Sequence, residues 1–161
     1  MTRTVTIAPV EDEPKVTARP ALITGGAGFI GTNVADRLLR AGRSVIVYDN
    51  LSRPGVETNL RWLRETHGSR VEFQMADVRD PRALEKAVQR AGEVYHFAAQ
   101  VAVTTSLTDP VHDFEVNARG TLNVLEAVRS TGRRVPVIFA STNNVYGGLG
   151  GMAMVEVGGR H

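Results

Sequence analysis

The chain has 161 residues, of which 42% are hydrophobic and 22% charged, a composition that predicts one soluble globular domain. It contains no cysteine, which excludes a disulfide framework, a thiolate nucleophile and a cysteine-ligated metal. The net charge is only +2, and the scattered arginines form no basic stripe with interleaved aromatic residues, so nucleic acid is not an expected partner. No metal site is predicted either, because no metal-ligand spacing links the histidines, which are His67, His96, His112 and His161.

Residues 1–19 carry acids and prolines and have no continuous apolar run, so neither a signal peptide nor a membrane span is predicted there. We expect this segment to be a disordered leader. The lack of a signal peptide or membrane span in this segment, together with the absence of cysteine, favours a cytoplasmic protein without a membrane partner.

A glycine turn follows the first apolar run, residues 20–24. In dinucleotide-binding proteins a glycine at the place of Gly25 permits a tight turn, Gly28 lets a pyrophosphate approach the backbone, and Gly31 lets the helix pack closely. The amides at the start of that helix, with the positive end of its dipole, would then face the phosphates. Asp49 ends the next apolar run, roughly 20 residues further on, where an acid binds ribose hydroxyls. A mere helix-capping loop explains neither the preceding strand nor this acid, so the pattern predicts dinucleotide binding.

Apolar runs and amphipathic stretches then alternate along the chain. Strands are predicted at 20–24, 44–48, 70–75, 93–97 and 135–140, and helices at 28–41, 57–67, 81–91 and 111–131. Asp80-Pro81 and Asp109-Pro110 are typical helix starts, whereas Gly42 and Gly132 are typical stops. The alternation predicts an α/β fold, a Rossmann-like doubly wound parallel sheet of order 3-2-1-4-5 with helices on both faces.

The domain plan has three parts. Residues 20–147 form the predicted cofactor-binding domain, preceded by the leader at 1–19. Residues 148–161 are rich in glycine and have little reason to fold by themselves.

Six ordered blocks within residues 20–147 carry a resemblance to a known family. They are Thr24-Gly-Gly-Ala-Gly-Phe-Ile-Gly31, Tyr48-Asp-Asn-Leu-Ser52, Ala76-Asp-Val-Arg-Asp80, His96-Phe-Ala-Ala99, Asn117-Ala-Arg-Gly-Thr-Leu-Asn123 and Phe139-Ala-Ser-Thr-Asn-Asn-Val-Tyr-Gly147. With these blocks the chain resembles the extended short-chain dehydrogenase/reductase superfamily in its nucleotide-sugar epimerase and dehydratase branch, with a pattern most similar to the CDP-paratose (CDP-tyvelose) 2-epimerases.

The resemblance implies NAD as the cofactor. Asp49 would take the adenosine ribose hydroxyls, which favours NAD over NADP because a carboxylate repels a 2′-phosphate. Arg53 is either an acceptor for such a phosphate or, as we favour, a solvated loop cation. Asp77 and Val78 would hold the adenine, and Asp77 is also a candidate helix cap. The full set of cofactor residues implied is Gly25, Gly28, Phe29, Ile30, Gly31, Asp49, Asn50, Ser52, Arg53, Asp77, Val78, Phe97, Ala98, Ala99 and Asn117.

A nucleotide-sugar substrate is implied as well, on the side of Gln100, Thr104 and Asn143. Asn117 would anchor its helix near the active-site strand. Thr142 matches the family's catalytic hydroxyl residue, which hydrogen-bonds the reacting oxygen. By analogy alone, a homodimer would form through the helices at 81–91 and 111–131.

The sequence departs from the family at the catalytic base, which is the tyrosine of a Tyr-x-x-x-Lys motif. None of Tyr48, Tyr95 and Tyr146 has a lysine four residues on, since lysine occurs only at positions 15 and 86. We therefore expect the NAD-binding half of an epimerase, without the C-terminal substrate domain and not catalytic by itself. A non-catalytic dinucleotide-binding module and a dehydratase or reductase of the same superfamily are the alternatives.

Overall fold

The computed structural model of the protein describes residues 19–142. The predicted leader (apart from Arg19), the glycine-rich tail and the candidate residue Asn143 lie outside the described residues. The three-part domain plan therefore stays a prediction.

Strands and helices alternate in the predicted order. The elements are β1 (Ala21–Thr24), α1 (Phe29–Arg40), β2 (Val45–Asp49), α2 (Val56–His67), β3 (Val71–Met75), α3 (Pro81–Arg90), β4 (Glu93–His96), α4 (Val103–Thr108), α5 (Pro110–Phe114), a π-helical segment (Glu115–Arg119), α6 (Gly120–Ser130) and β5 (Val137–Phe139), with a short 3-10 turn at Gly68–Arg70.

All strand pairings in the sheet are parallel, and the strand order is β3-β2-β1-β4-β5, which confirms the prediction. Strand β1 is central, with Ile23 opposite Val47 on one side and Tyr95 on the other. Its residues alternate between two cores, because successive side chains of a strand point to opposite faces. Ala21 and Ile23 join the core that also contains Leu39 and Leu63 of α1 and α2, whereas Leu22 packs with residues of α3 and α6.

Helices cover both faces of the sheet, as predicted, but the outer strands are less buried than the central ones. In β3, Met75 is exposed, and in β5 the side chains of Ile138 and Phe139 are about half exposed. The apolar runs alone do not distinguish a central strand from an edge strand, because a strand's position in the sheet is decided by its neighbours.

The predicted helix starts are confirmed. The Asp80 carboxylate accepts from the N–H groups of Arg82 and Ala83, and the Asp109 carboxylate accepts from that of His112. A proline follows each of them at the first helical position, where a missing N–H costs nothing. Gly42 has a φ of +82°, so it ends α1 in the left-handed conformation that glycine adopts without strain.

The segment between β4 and α6 differs from the prediction. The helix α4 follows Gln100 in a stretch for which no helix was predicted. The expected single helix over 111–131 begins at Pro110 and passes through the π-helical segment. Contacts with neighbouring residues hold α4, since the Ser106 hydroxyl donates to the carboxylate of Asp113 on α5 at 2.7 Å and lies 3.2 Å from the carbonyl oxygen of Ala102. The Val and Thr residues of α4 are weak helix formers, which is why local propensity did not predict it.

Candidate functional site

The glycine turn packs backbone against backbone. A Cβ on Gly25, whose φ is +67°, would lie 2.7 Å from the amide nitrogen of Ala98, and one on Gly31 would lie 2.3 Å from the carbonyl oxygen of Gly25. The turn is thus held between the end of β4 and the start of α1. No side chain caps the N-terminus of α1 at Gly28, which leaves its first-turn N–H groups for an anionic ligand.

A cavity of about 350 Å³ extends from this turn along the carboxyl ends of β1, β2, β3 and β4. It is the crevice beside the point where the strand order reverses, where ligands bind in doubly wound sheets. Most of the predicted cofactor residues line it, namely Gly25, Gly28, Phe29, Ile30, Gly31, Asp49, Asn50, Arg53, Asp77, Val78, Phe97, Ala98 and Ala99.

The Asp49 carboxylate is held by two main-chain donors. Its Oδ2 accepts from the N–H of Ala27 at 3.0 Å, and its Oδ1 accepts from the N–H of Leu51 at 2.9 Å. An ionised carboxylate has about four acceptor positions, so both oxygens retain capacity for ligand hydroxyls. The glycine turn therefore fixes the orientation of the acid at the end of β2.

The Asp77 carboxylate is tied to Arg79 and Asn50. Arg79 donates its N–H and its Nε–H to Oδ1 and a terminal N–H to Oδ2, and the Asn50 side chain donates to Oδ2 at 2.8 Å. The bonds from Arg79 are the main reason that the pKa of Asp77 lies well below its usual range, although partial burial opposes them. Asp77 is thus ionised, and it closes a turn with Arg79, whereas the cap of α3 is Asp80.

A second cavity of about 530 Å³ adjoins the first and shares Ile30, Phe97, Ala98, Ala99 and Val101 with it. Gln100 and Thr142 line this second cavity, as does Asn117, which the resemblance implied for the cofactor. Thr104, on α4, and Ser52 are exposed and line neither cavity. The N–H of Ser52 donates to the Asn50 side chain at 3.0 Å.

A hydrogen-bonded chain runs from Thr24, at the end of β1, to His96 and Thr121 in the wall of the second cavity, and sequence reasoning missed it. His96 Nδ1 lies 2.6 Å from the Thr24 hydroxyl, and its Nε2 lies 3.0 Å from the Thr121 hydroxyl. The Thr121 hydroxyl gives its one hydrogen to the carbonyl of Asn117, so towards His96 it can only accept. The imidazole proton is therefore on Nε2, and Nδ1 accepts from the Thr24 hydroxyl. Burial lowers the pKa of His96 to about 4, so the ring is neutral at physiological pH. The chain joins residues far apart in sequence, so no local pattern signals it.

Two absences concern residues 19–142 only. Within them, no group of three or more metal-ligating His, Cys, Asp or Glu side chains comes together. In the same part of the chain, no helix has the length and apolarity needed to cross a membrane.

Fold and crevice together define a Rossmann-like α/β protein of the type that binds nucleotides at the switch point of its sheet. The sequence profile of the GDP-mannose 4,6 dehydratase family matches residues 22–158, and the chain belongs to this family within the extended short-chain dehydrogenase/reductases.

Similar proteins include epimerases of nucleotide sugars. The CDP-paratose 2-epimerase of Salmonella typhi is 45% identical over 130 residues, which are 80% of this chain and 38% of that protein. The crystal structure of UDP-glucose 4-epimerase from Stenotrophomonas maltophila, with bound NAD and formylated UDP-arabinopyranose, matches with a TM-score of 0.73 at 30% identity, covering 80% of this chain and 38% of that one. The crystal structure of UDP-glucose 4-epimerase from Bifidobacterium longum, in complex with NAD+ and UDP, matches with a TM-score of 0.70 at 33% identity and covers the same shares of the two chains.

The chain thus spans about 38% of the length of these relatives. The comparisons confirm the predicted family and NAD as the cofactor found in its solved members.

Proposed function

We propose that the chain is the NAD-binding portion of a nucleotide-sugar epimerase of the CDP-sugar 2-epimerase type. One observation carries the proposal. Gly25, the uncapped N-terminus of α1 and the Asp49 carboxylate, which main-chain amides hold in place, all line the same cavity. The 45% sequence identity to the CDP-paratose 2-epimerase of Salmonella typhi supports the finer assignment to CDP sugars.

The residues present suit NAD at each part of the crevice. Asp77 and Val78 would hold the adenine, Asp49 the ribose hydroxyls, and the first-turn amides of α1 the pyrophosphate. Phe97, Ala98 and Ala99, between the two cavities, would face the nicotinamide ribose. When bound, NAD supplies a hydride acceptor that oxidises a sugar hydroxyl and then returns the hydride. The hydroxyl of Thr142 would hydrogen-bond the reacting oxygen, with Gln100, Thr104 and Asn143 on the side of the nucleotide sugar.

The 161-residue chain by itself is proposed to bind NAD with negligible turnover. The described tyrosines are unsuited to act as the base, since burial raises the pKa of both Tyr48 and Tyr95 above the usual range. The Tyr48 hydroxyl also donates to the carbonyl of Asp77. No tyrosine in the sequence has a lysine four residues on, so the chain lacks the cation that would lower the pKa of the catalytic tyrosine in the family mechanism.

Calorimetric titration of the full chain with NAD and with NADP tests the binding. We expect saturable binding of NAD, weaker binding of NADP and no conversion of a CDP-sugar in the presence of NAD. A chain that is folded by circular dichroism and shows no NAD binding would overturn the proposal. Epimerase turnover by the chain would overturn the assignment of a binding portion without catalysis.

A non-catalytic dinucleotide-binding module is the second candidate, favoured by the same absence of Tyr-x-x-x-Lys. The coding DNA distinguishes the two. An open reading frame past the codon of His161, in any frame, that encodes this motif supports the epimerase. Its absence supports the module. The third possibility, a dehydratase or reductase of the same superfamily, would be recognised by the products that a full-length form of the enzyme makes from a nucleotide sugar.

We also propose a homodimer through α3 and the helical stretch that ends with α6. These helices pack against each other, and Leu122 and Leu125 of α6 are about half exposed. Light scattering after gel filtration measures the mass, and Leu125→Glu is expected to convert a dimer to a monomer. A wild-type monomer at high concentration would contradict the proposal.

A further inference from the structure

Arg53 lies in a position that bridges the crevice. Strands β2 and β4 flank β1, so the loop after β2 and the chain after β4 lie on opposite sides of the glycine turn that follows β1. The guanidinium of Arg53, on the first of these, donates to the carbonyl oxygen of Ala99, on the second, at 3.5 Å. Both residues line the same cavity as Gly25 and Gly28. The side chain therefore spans the crevice above the glycine turn.

Arg53 is also the one cationic side chain among the residues that line this cavity within residues 19–142. The two acids there, Asp49 and Asp77, already accept hydrogen bonds from main-chain amides and from Arg79. Arg79 itself does not line the cavity. A dinucleotide brings two negative charges on its pyrophosphate, against which the N-terminus of α1 offers only partial charges.

The present partner of Arg53 is a weak one. A neutral carbonyl at 3.5 Å is at the limit of a hydrogen bond, and Arg53 makes no ion pair with the carboxylates of the described residues. Hydrogen bonds from a guanidinium to a phosphate are shorter and roughly twice as strong as neutral ones. A pyrophosphate on the glycine turn would therefore be a better partner than the carbonyl of Ala99.

We propose that Arg53 is a clamp for the cofactor pyrophosphate, closing over it from the solvent side while the α1 amides hold it from below. This inference rests on the proposed binding of NAD. It replaces both earlier interpretations of Arg53, as a solvated loop cation and as an acceptor for the 2′-phosphate of NADP. Because the guanidinium reaches toward β4 and away from the adenosine side, it contributes equally to NAD and to NADP.

The test compares Arg53→Gln with Arg61→Gln, which removes the same charge from an exposed position on α2 outside the cavity. The probes are NAD, NADP and ADP-ribose, titrated calorimetrically at about 50 and about 300 mM salt. We expect Arg53→Gln to weaken the binding of NAD and of ADP-ribose by about tenfold, since one charge-assisted contact is lost. The affinity of this variant is also expected to depend less on salt. Arg61→Gln is expected to bind as the wild type does, and Arg53→Lys to be intermediate.

Three results would overturn the inference while the proposed function stands. These are an Arg53→Gln variant with NAD affinity within about twofold of wild type, a salt dependence equal to that of wild type, and a loss of NADP affinity that greatly exceeds the loss for NAD. The last result would assign Arg53 to the 2′-phosphate. A folded wild-type chain that does not bind NAD would overturn the proposed function and the clamp together. Because Arg53 is exposed, thermal melting of the variant is expected to match that of the wild type.

Discussion

The side-chain amide of Asn117 pairs with the main chain of Gln100 at both of its polar atoms. Its Oδ1 accepts from the N–H of Gln100 at 2.8 Å, and its Nδ2 donates to the carbonyl of the same residue at 2.9 Å. Asn117 lies in the π-helical segment, and Gln100 lies where the chain leaves β4. One side chain therefore attaches this helical stretch to the loop beside the second cavity, which explains an asparagine at a position where helix propensity disfavours it.

Asn117→Ala is expected to reduce the free energy of unfolding by about 1–3 kcal/mol, because it leaves the two polar groups of Gln100 without their partner. Urea unfolding followed by circular dichroism measures the change. Asn33→Ala is the matched control, since the Asn33 amide is exposed and bonds only within α1. Its expected effect is below about 0.5 kcal/mol. Equal losses in the two variants would contradict the anchoring role of Asn117.

The glycine turn gives a second prediction, from two substitutions that differ in the space available. Gly31→Ala places a methyl group 2.3 Å from the carbonyl oxygen of Gly25, a backbone atom that moves only if α1 separates from the turn. Gly28→Ala meets the same oxygen at 3.2 Å, which a small shift relieves. We expect Gly31→Ala to lower the melting temperature sharply and Gly28→Ala to remain folded. Equal melting temperatures would show that the turn adapts freely.

His96 predicts that stability falls in mildly acidic solution. Its folded-state pKa of about 4 lies below the ordinary value, so between about 6.5 and about 4 the unfolded chain binds more protons than the folded one. The stability that His96 contributes by staying neutral is therefore fully present above about pH 6.5. As the pH falls towards about 4 the free energy of unfolding decreases by about 3 kcal/mol in total.

Denaturant unfolding between about pH 7 and about pH 4.5 measures this dependence. His96→Gln is expected to be less stable at neutral pH but to show a flatter dependence, because it removes the titrating ring and keeps polar atoms for Thr24 and Thr121. Carboxylates titrate in both proteins, so the difference between the two curves isolates His96. Identical slopes would contradict the prediction.

Asp49→Asn is expected to weaken NAD binding by about tenfold and to lower the preference for NAD over NADP. The amide retains one acceptor oxygen, but its NH2 group faces a backbone N–H where the carboxylate accepted one. It also lacks the charge that repels a 2′-phosphate. Calorimetry with both cofactors measures the ratio. Glu65→Gln, which removes an exposed acid from α2, is the control with no expected change. An unchanged ratio would assign the cofactor preference to other residues.

Local sequence predicted the central part of the fold well. The apolar runs that became β1 and β2 lie within one residue of their predicted bounds, and the caps at Asp80 and Asp109 form as expected. Short buried strands and Asp-Pro starts depend on a few adjacent residues, so their signals are complete in the sequence.

The helical stretch after β4 was less predictable for the opposite reason. The helix α4 and the π-helical segment depend on contacts such as that of Ser106 with Asp113 and of Asn117 with Gln100. No periodic pattern encodes these contacts, because each partner is selected by packing.

By itself the sequence determined that a glycine turn follows a strand and opens a helix, that an acid ends the next strand, and that the sheet is parallel with order 3-2-1-4-5. These features follow from local residue types and from the few ways in which right-handed crossovers connect parallel strands. The tertiary structure decided which side chains meet. Pairing β2 and β4 on either side of β1 brings Arg53 to Ala99, and the packing of α6 on the sheet brings Thr121 to His96. Such contacts join residues distant in the chain, and only the folded backbone fixes the distances between them.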